Sequence, residues 1–142
     1  MNSLRVIAVV TVTALIGCAS TPPARSSKEP GVIALRNSTG RALATVRIGE
    51  ERRSAGSPTR LGEMSPVLPD VTYTFVRPPK APPLPSKVRV QWRDGSGTDH
   101  STVVAIREAV DAATGVEGEA LLLEIRPSGS VAARIDRAPA AR

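Results

Sequence analysis

From Gly31 onward the apolar residues recur with a period of two, the spacing that puts alternate side chains on one face of a strand. Lys87-Val88-Arg89-Val90-Gln91-Trp92-Arg93 alternates without a fault and places Val88, Val90 and Trp92 together. Asp94-Gly95-Ser96-Gly97 supplies turn residues, and Thr98 to Ile106 reads as the returning strand of a hairpin. Val32 to Arg36 reads as a first strand, Asn37-Ser38-Thr39-Gly40 as a turn, and Leu43 to Ile48 as its return. Val71 to Val76 sets Tyr73 and Phe75 on one face, whereas Ala120 to Ile125 is apolar nearly throughout, as a central strand would be. Pro127-Ser128-Gly129-Ser130 then turns the chain into a last strand, Val131 to Ile135. About seven short strands separated by turn signals predict an all-β fold, a single antiparallel β-sandwich.

Two stretches break the alternation. Ile106, Ala109, Val110 and Ala113 follow the i, i+3, i+4, i+7 spacing of a helix face, and Gly115 can end a short crossover helix there. Pro78 to Pro85 holds five prolines in eight residues, so it predicts a stiff, PPII-like connection without ladder hydrogen bonds. The folded domain is expected over residues 31–137, with a tail at 138–142.

The first 17 residues form an address. Arg5 precedes an uncharged run from Val6 to Ile16, and small residues close it, as in a secretory signal. The run is shorter than the roughly 20 apolar residues of a permanent span. Leu15-Ile16-Gly17-Cys18 resembles the lipobox of bacterial lipoproteins. That resemblance implies cleavage before Cys18, a diacylglycerol thioether on its sulfur and an acylated new amino terminus; a plain signal cut after Ala19 is the competing reading. The family pattern keeps proteins with Asp after the Cys at the inner membrane. Ala19 stands here, which implies the periplasmic face of the outer membrane. Residues 18–30 then read as the lipidated Cys and an extended, Pro- and Ser-rich tether.

Two stretches of the domain resemble bacterial immunoglobulin-like or fibronectin-III-like accessory modules. Leu35 to Ile48 is similar to their opening hairpin, N-x-[ST]-G-x-x-[apolar]-x-x-V-x-V. Met64 to Phe75 is similar to their L-x-P-G-x-x-x-x-F segment, with Asp70 in place of the usual Gly. The Cys…Trp…Cys signature of antibody domains is absent. An immunoglobulin-like sandwich is what the resemblance implies, and such a scaffold leaves function open.

Composition narrows the chemistry. The chain has 142 residues, one Cys, one His and three aromatics, Tyr73, Phe75 and Trp92. His100 alone cannot complete a zinc site, which needs three or four N or S ligands. A triad needs an activated nucleophile beside it, and Ser96 and Ser101 are accounted for by turn chemistry. Asp94 to Asp99 only faintly suggests a calcium loop, because the EF-hand ligand spacing is missing. Asn37-Ser38-Thr39 matches a glycosylation sequon but reads as a turn. The net charge of +6 comes mainly from scattered Arg. With no basic cluster and no aromatics interleaved, nucleic acid is not expected as a partner. Arg52-Arg53 and Arg60, on the loop Gly49 to Arg60, come nearest to a patch. The expectation is a non-catalytic binding or accessory module in the cell envelope, without cofactor or metal. It would be held to the membrane through Cys18 and face an envelope protein partner. A pilotin-like assembly factor for an outer-membrane secretion or transport component is the alternative.

Overall fold

The fold is that of a computed structural model, which describes residues 28–51 and 59–139. Eight strands and one short helix follow one another among these residues: β1 (Val32–Asn37), β2 (Leu43–Glu50), β3 (Arg60–Met64), β4 (Thr72–Val76), β5 (Lys87–Asp94), β6 (Asp99–Ala105), α1 (Arg107–Asp111), β7 (Glu119–Ile125) and β8 (Val131–Arg137). They make two four-stranded sheets, in the orders β4-β1-β7-β8 and β3-β2-β5-β6. Ile33, Leu35, Leu121, Leu123 and Ile125 of the first sheet share one core with Val46, Ile48, Val88, Val90, Trp92 and Val104 of the second. The all-β, two-layer expectation holds.

Three details differ. The described strands number eight rather than seven. The sheets are not purely antiparallel, because β1 lies parallel to β7, from Val32 beside Ala120 to Asn37 beside Ile125. And β1 and β2 are not a hairpin: the turn at Asn37–Gly40 carries the chain from one sheet to the other. The physical cause lies in β1 itself. Ile33, Ala34 and Leu35 are all buried in succession, so the strand needs neighbours and cover on both faces. It finds them between β4 and β7. β7 is interior for the same reason, with Leu121, Leu123 and Ile125 in the main core and Ala120 and Leu122 in a small cluster with Ala34 on the opposite face.

The β5–β6 hairpin and the β7–β8 hairpin stand where the alternation put them. The crossover helix is there too, with Ile106, Val110 and Ala113 buried and Gly115 at φ 80 just beyond it. β3 was not foreseen, since Arg60-Leu61-Gly62-Glu63-Met64 barely alternates. Pairing with β2 fixes it, and Gly62 is required because a Cβ there would come within 2.9 Å of the Phe75 ring. Asp70 takes a φ of 60, the left-handed conformation for which glycine is the usual residue.

Between Pro78 and Pro85 the chain forms no strand and makes one turn, closed by the Ala81 N–H on the Pro78 carbonyl at 2.9 Å. Its Leu84 is buried in the core. Beside it lies a buried ion pair. The Arg77 Nη1 stands 3.3 Å from a carboxylate oxygen of Glu29, and both side chains are only 6% exposed. Arg77 also donates to the carbonyls of Pro30 and Pro82, while the Leu84 N–H donates to Glu29 at 3.1 Å. Glu29 and Pro30, read from sequence as the end of the tether, therefore belong to the packed domain.

Candidate functional site

The β5–β6 hairpin builds the floor of a concavity. Asp94 closes its turn: one carboxylate oxygen accepts the Ser96 N–H at 2.9 Å, the Ser96 hydroxyl at 2.6 Å and the Thr98 N–H at 3.0 Å. The register sets Trp92 opposite His100 on one face. Their rings stack with centroids 5.2 Å apart and planes 11° from parallel. His100 Nε2 lies 2.9 Å from the other Asp94 oxygen. These contacts hold the Asp94 carboxyl well below its ordinary range, the His100 hydrogen bond first, then the Ser96 hydroxyl and the Thr98 N–H.

Two other connections complete the walls. The β1–β2 link contributes Arg41, the start of β2 contributes Leu43, and the β7–β8 turn contributes Arg126 and Pro127, around a concavity of about 530 Å³. Asn37 fixes the first of these. Its buried amide donates to the carbonyls of Arg41 at 2.7 Å and Val67 at 3.2 Å and accepts from the Thr39 N–H and hydroxyl. The sequon is thus a turn, with the amide nitrogen already committed inside the protein. On the outer face of the second sheet, charges are paired off. Arg93 meets Asp99 through two hydrogen bonds of 2.8 and 2.9 Å, Arg89 meets Glu51 twice at 2.8 Å, and Arg47 meets Glu63 at 3.0 Å. Each of the carboxyls Asp99, Glu51 and Glu63 is held below its usual range, chiefly by the guanidinium hydrogen bond.

The geometry bears on each candidate residue in turn. His100 is neither isolated nor simply on the surface; it sits in the concavity, tied to Asp94. Ser96 is hydrogen-bonded to the acid, so it is not aligned on the imidazole as a triad serine would be. Ser101 bonds Arg89, at 3.1 Å. Among the described residues no three His, Cys, Asp or Glu side chains converge as metal ligands. Nor is any described helix long and apolar enough to cross a membrane. Cys18 and the Arg52-Arg53 pair lie outside the described residues; Arg60 begins β3 and pairs with Glu63 at 2.5 Å.

The alternation of β5 sets Trp92 on one face with Val88 and Val90 and gives His100 no partner. Five residues separate the paired Arg93 and Asp99, which sets Trp92 opposite His100; a four-residue turn between Arg93 and Thr98 would have set Trp92 opposite Asp99. That Arg41 and Arg126 share the concavity was not legible in the sequence, because it depends on the parallel pairing of β1 with β7, which sets Asn37 beside Ile125. Comparison with known protein families, with curated proteins and with solved structures returned no match.

Proposed function

We propose that this chain is an envelope lipoprotein, anchored through Cys18, whose β domain is a non-catalytic binding or accessory module. The lipobox resemblance of Leu15 to Cys18 and the Ala19 that follows supply the anchor and favour the outer membrane. The observation that carries the binding reading is polarity of the domain. The chain enters at Glu29 and Pro30, beside the start of β1, and the concavity around Trp92 and His100 lies past the end of β1. Six residues of strand separate these ends by about 20 Å. A tether to the membrane at one end leaves the site at the other end turned outward.

An immunoglobulin-like scaffold fits the order of strands. In that fold consecutive strands B and C, and again E and F, change sheets while B pairs with E and C with F. β1 and β2, then β4 and β5, change sheets in the same way, with β1 against β4 and β2 against β5. β3 and β6 flank β2 and β5 as C′ and G would. The departure is beside β1, where the C-terminal β7 runs parallel in the place of an N-terminal strand A.

Replacement of Cys18 by Ser tests the anchor: the protein should move from the membrane fraction to the soluble periplasm. Retention in the membrane would sink the lipoprotein reading. Crosslinking in intact envelopes tests the module, and recovery of no reproducible partner would count against it.

A further inference from the structure

Seven of the eleven arginines in the described residues stand in ion pairs, from Arg47 with Glu63 to Arg134 with Glu124. Arg41 and Arg126 are two of the four that do not, and both line the Trp92–His100 concavity, from the links that follow the paired strands β1 and β7. A guanidinium outside an ion pair offers a planar fork of donors suited to an oxyanion. The only carboxylate on the lining is Asp94, whose oxygens are already engaged by His100, Ser96 and Thr98. Counted on the guanidiniums and the carboxylate alone, two against one leave the lining a single positive charge. That balance suits a monoanion better than a phosphate monoester, which carries about −1.5 to −2 at pH 7. Leu43, Pro127 and the Trp92 ring add apolar wall, and about 530 Å³ lies within the range of small-ligand sites.

We propose that this concavity binds a carboxylate carried on an aliphatic group, with Arg41 and Arg126 holding the carboxylate and Leu43, Pro127 and Trp92 taking the aliphatic part. A peptide C-terminus ending in apolar residues and a short aliphatic acid share this chemistry. The floor is set before binding, by the Asp94–His100 bond and the ring stack, so little order is lost when a ligand arrives. The assignment rests on the binding-module reading of the domain but not on the anchor.

Trp92 is the only tryptophan, so its fluorescence reports directly on the site. The detergent-solubilised full chain is titrated with N-acetyl-leucyl-alanine, with its C-terminal amide, with hexanoate and with phenyl phosphate. A saturable change is expected with the free acid, weakened about tenfold or more by amidation and by Arg41→Met or Arg126→Met. Both arginines are exposed, so the variants should melt as the wild type does. A stronger response to the peptide points to a chain terminus, and a stronger response to hexanoate points to a free acid; both support the assignment. No saturable response, equal responses to acid and amide, or tighter binding of phenyl phosphate would overturn it. Failure of the titration with a crosslinked partner still recovered overturns this pocket alone. Failure of both overturns the module reading as well.

Discussion

Replacing Arg77 by Met would leave the Glu29 carboxylate in the core wall without its cation. The wild-type guanidinium stands 3.3 Å from that carboxylate and donates to the carbonyls of Pro30 and Pro82. In the variant, only the Leu84 N–H, at 3.1 Å, remains among the bonds described above to satisfy the acid. Removing one partner of a buried pair costs about 3–5 kcal/mol, because the other charge stays desolvated and uncompensated. Small domains are stable by about 5–15 kcal/mol, so the variant should fold but stand near its threshold. At about 4–8 °C per kcal/mol for a domain of this size, its Tm should fall by about 12 °C or more. Urea unfolding followed by Trp92 fluorescence measures the loss directly. The double variant Glu29→Leu, Arg77→Met removes both charges and should recover about 1–4 kcal/mol relative to Arg77→Met alone. A single-variant loss below about 1 kcal/mol would refute the argument, since surface pairs cost that little. So would a double variant less stable than Arg77→Met, which would mean that packing, not the stranded charge, sets the cost.

Two further perturbations probe other parts of the argument. Gly62→Ala should cost about 1–3 kcal/mol by forcing the Phe75 ring away, and Phe75→Leu in the same chain should restore part of it; additive losses in a double-mutant cycle would disprove the contact. Asp94 has a depressed folded pKa, so its contribution is present above its unfolded value of about 3.9 and is lost as the pH falls from there toward the lower folded value. Asp94→Asn should therefore narrow its stability gap to the wild type below about pH 4; melting curves that stay equally far apart from pH 7 to pH 2 would contradict this.

How much of the molecule could be read in advance depends on the range of the forces involved. The β5–β6 and β7–β8 hairpins are local, their alternation and turn residues lying side by side in the chain, and both were legible. The helix at Arg107–Asp111 was legible for the same reason, from Ile106, Val110 and Ala113 at helical spacing. The fate of the Asn37–Gly40 turn was not. A turn between two strands looks alike whether the second strand returns or departs to another sheet, and only the burial of both faces of β1 decides it. β3 hides for a related reason, as its place comes from β2 and the Phe75 ring. In the site, Trp92 and His100 follow from hairpin register, whereas Arg41 and Arg126 come to one concavity through the parallel pairing of β1 with β7, strands far apart in the chain. The lone His looked inert because its partner, Asp94, had already been given a complete role in the turn.

The parallel pairing of β1 with β7 also sets a timetable for folding. The first strand of the domain lies beside the second-last, so the sheet β4-β1-β7-β8 cannot close until the final stretch of chain is free to join it. Leu121, Leu123 and Ile125 bring one wall of the core with them. A chain emerging from a ribosome or a translocation pore exposes the apolar face of β1, Ile33 and Leu35, with no neighbour on one side through more than 80 residues of growth. Contacts this distant in sequence are slow to form. The topology itself thus postpones closure of the fold until the last strands are free to pair.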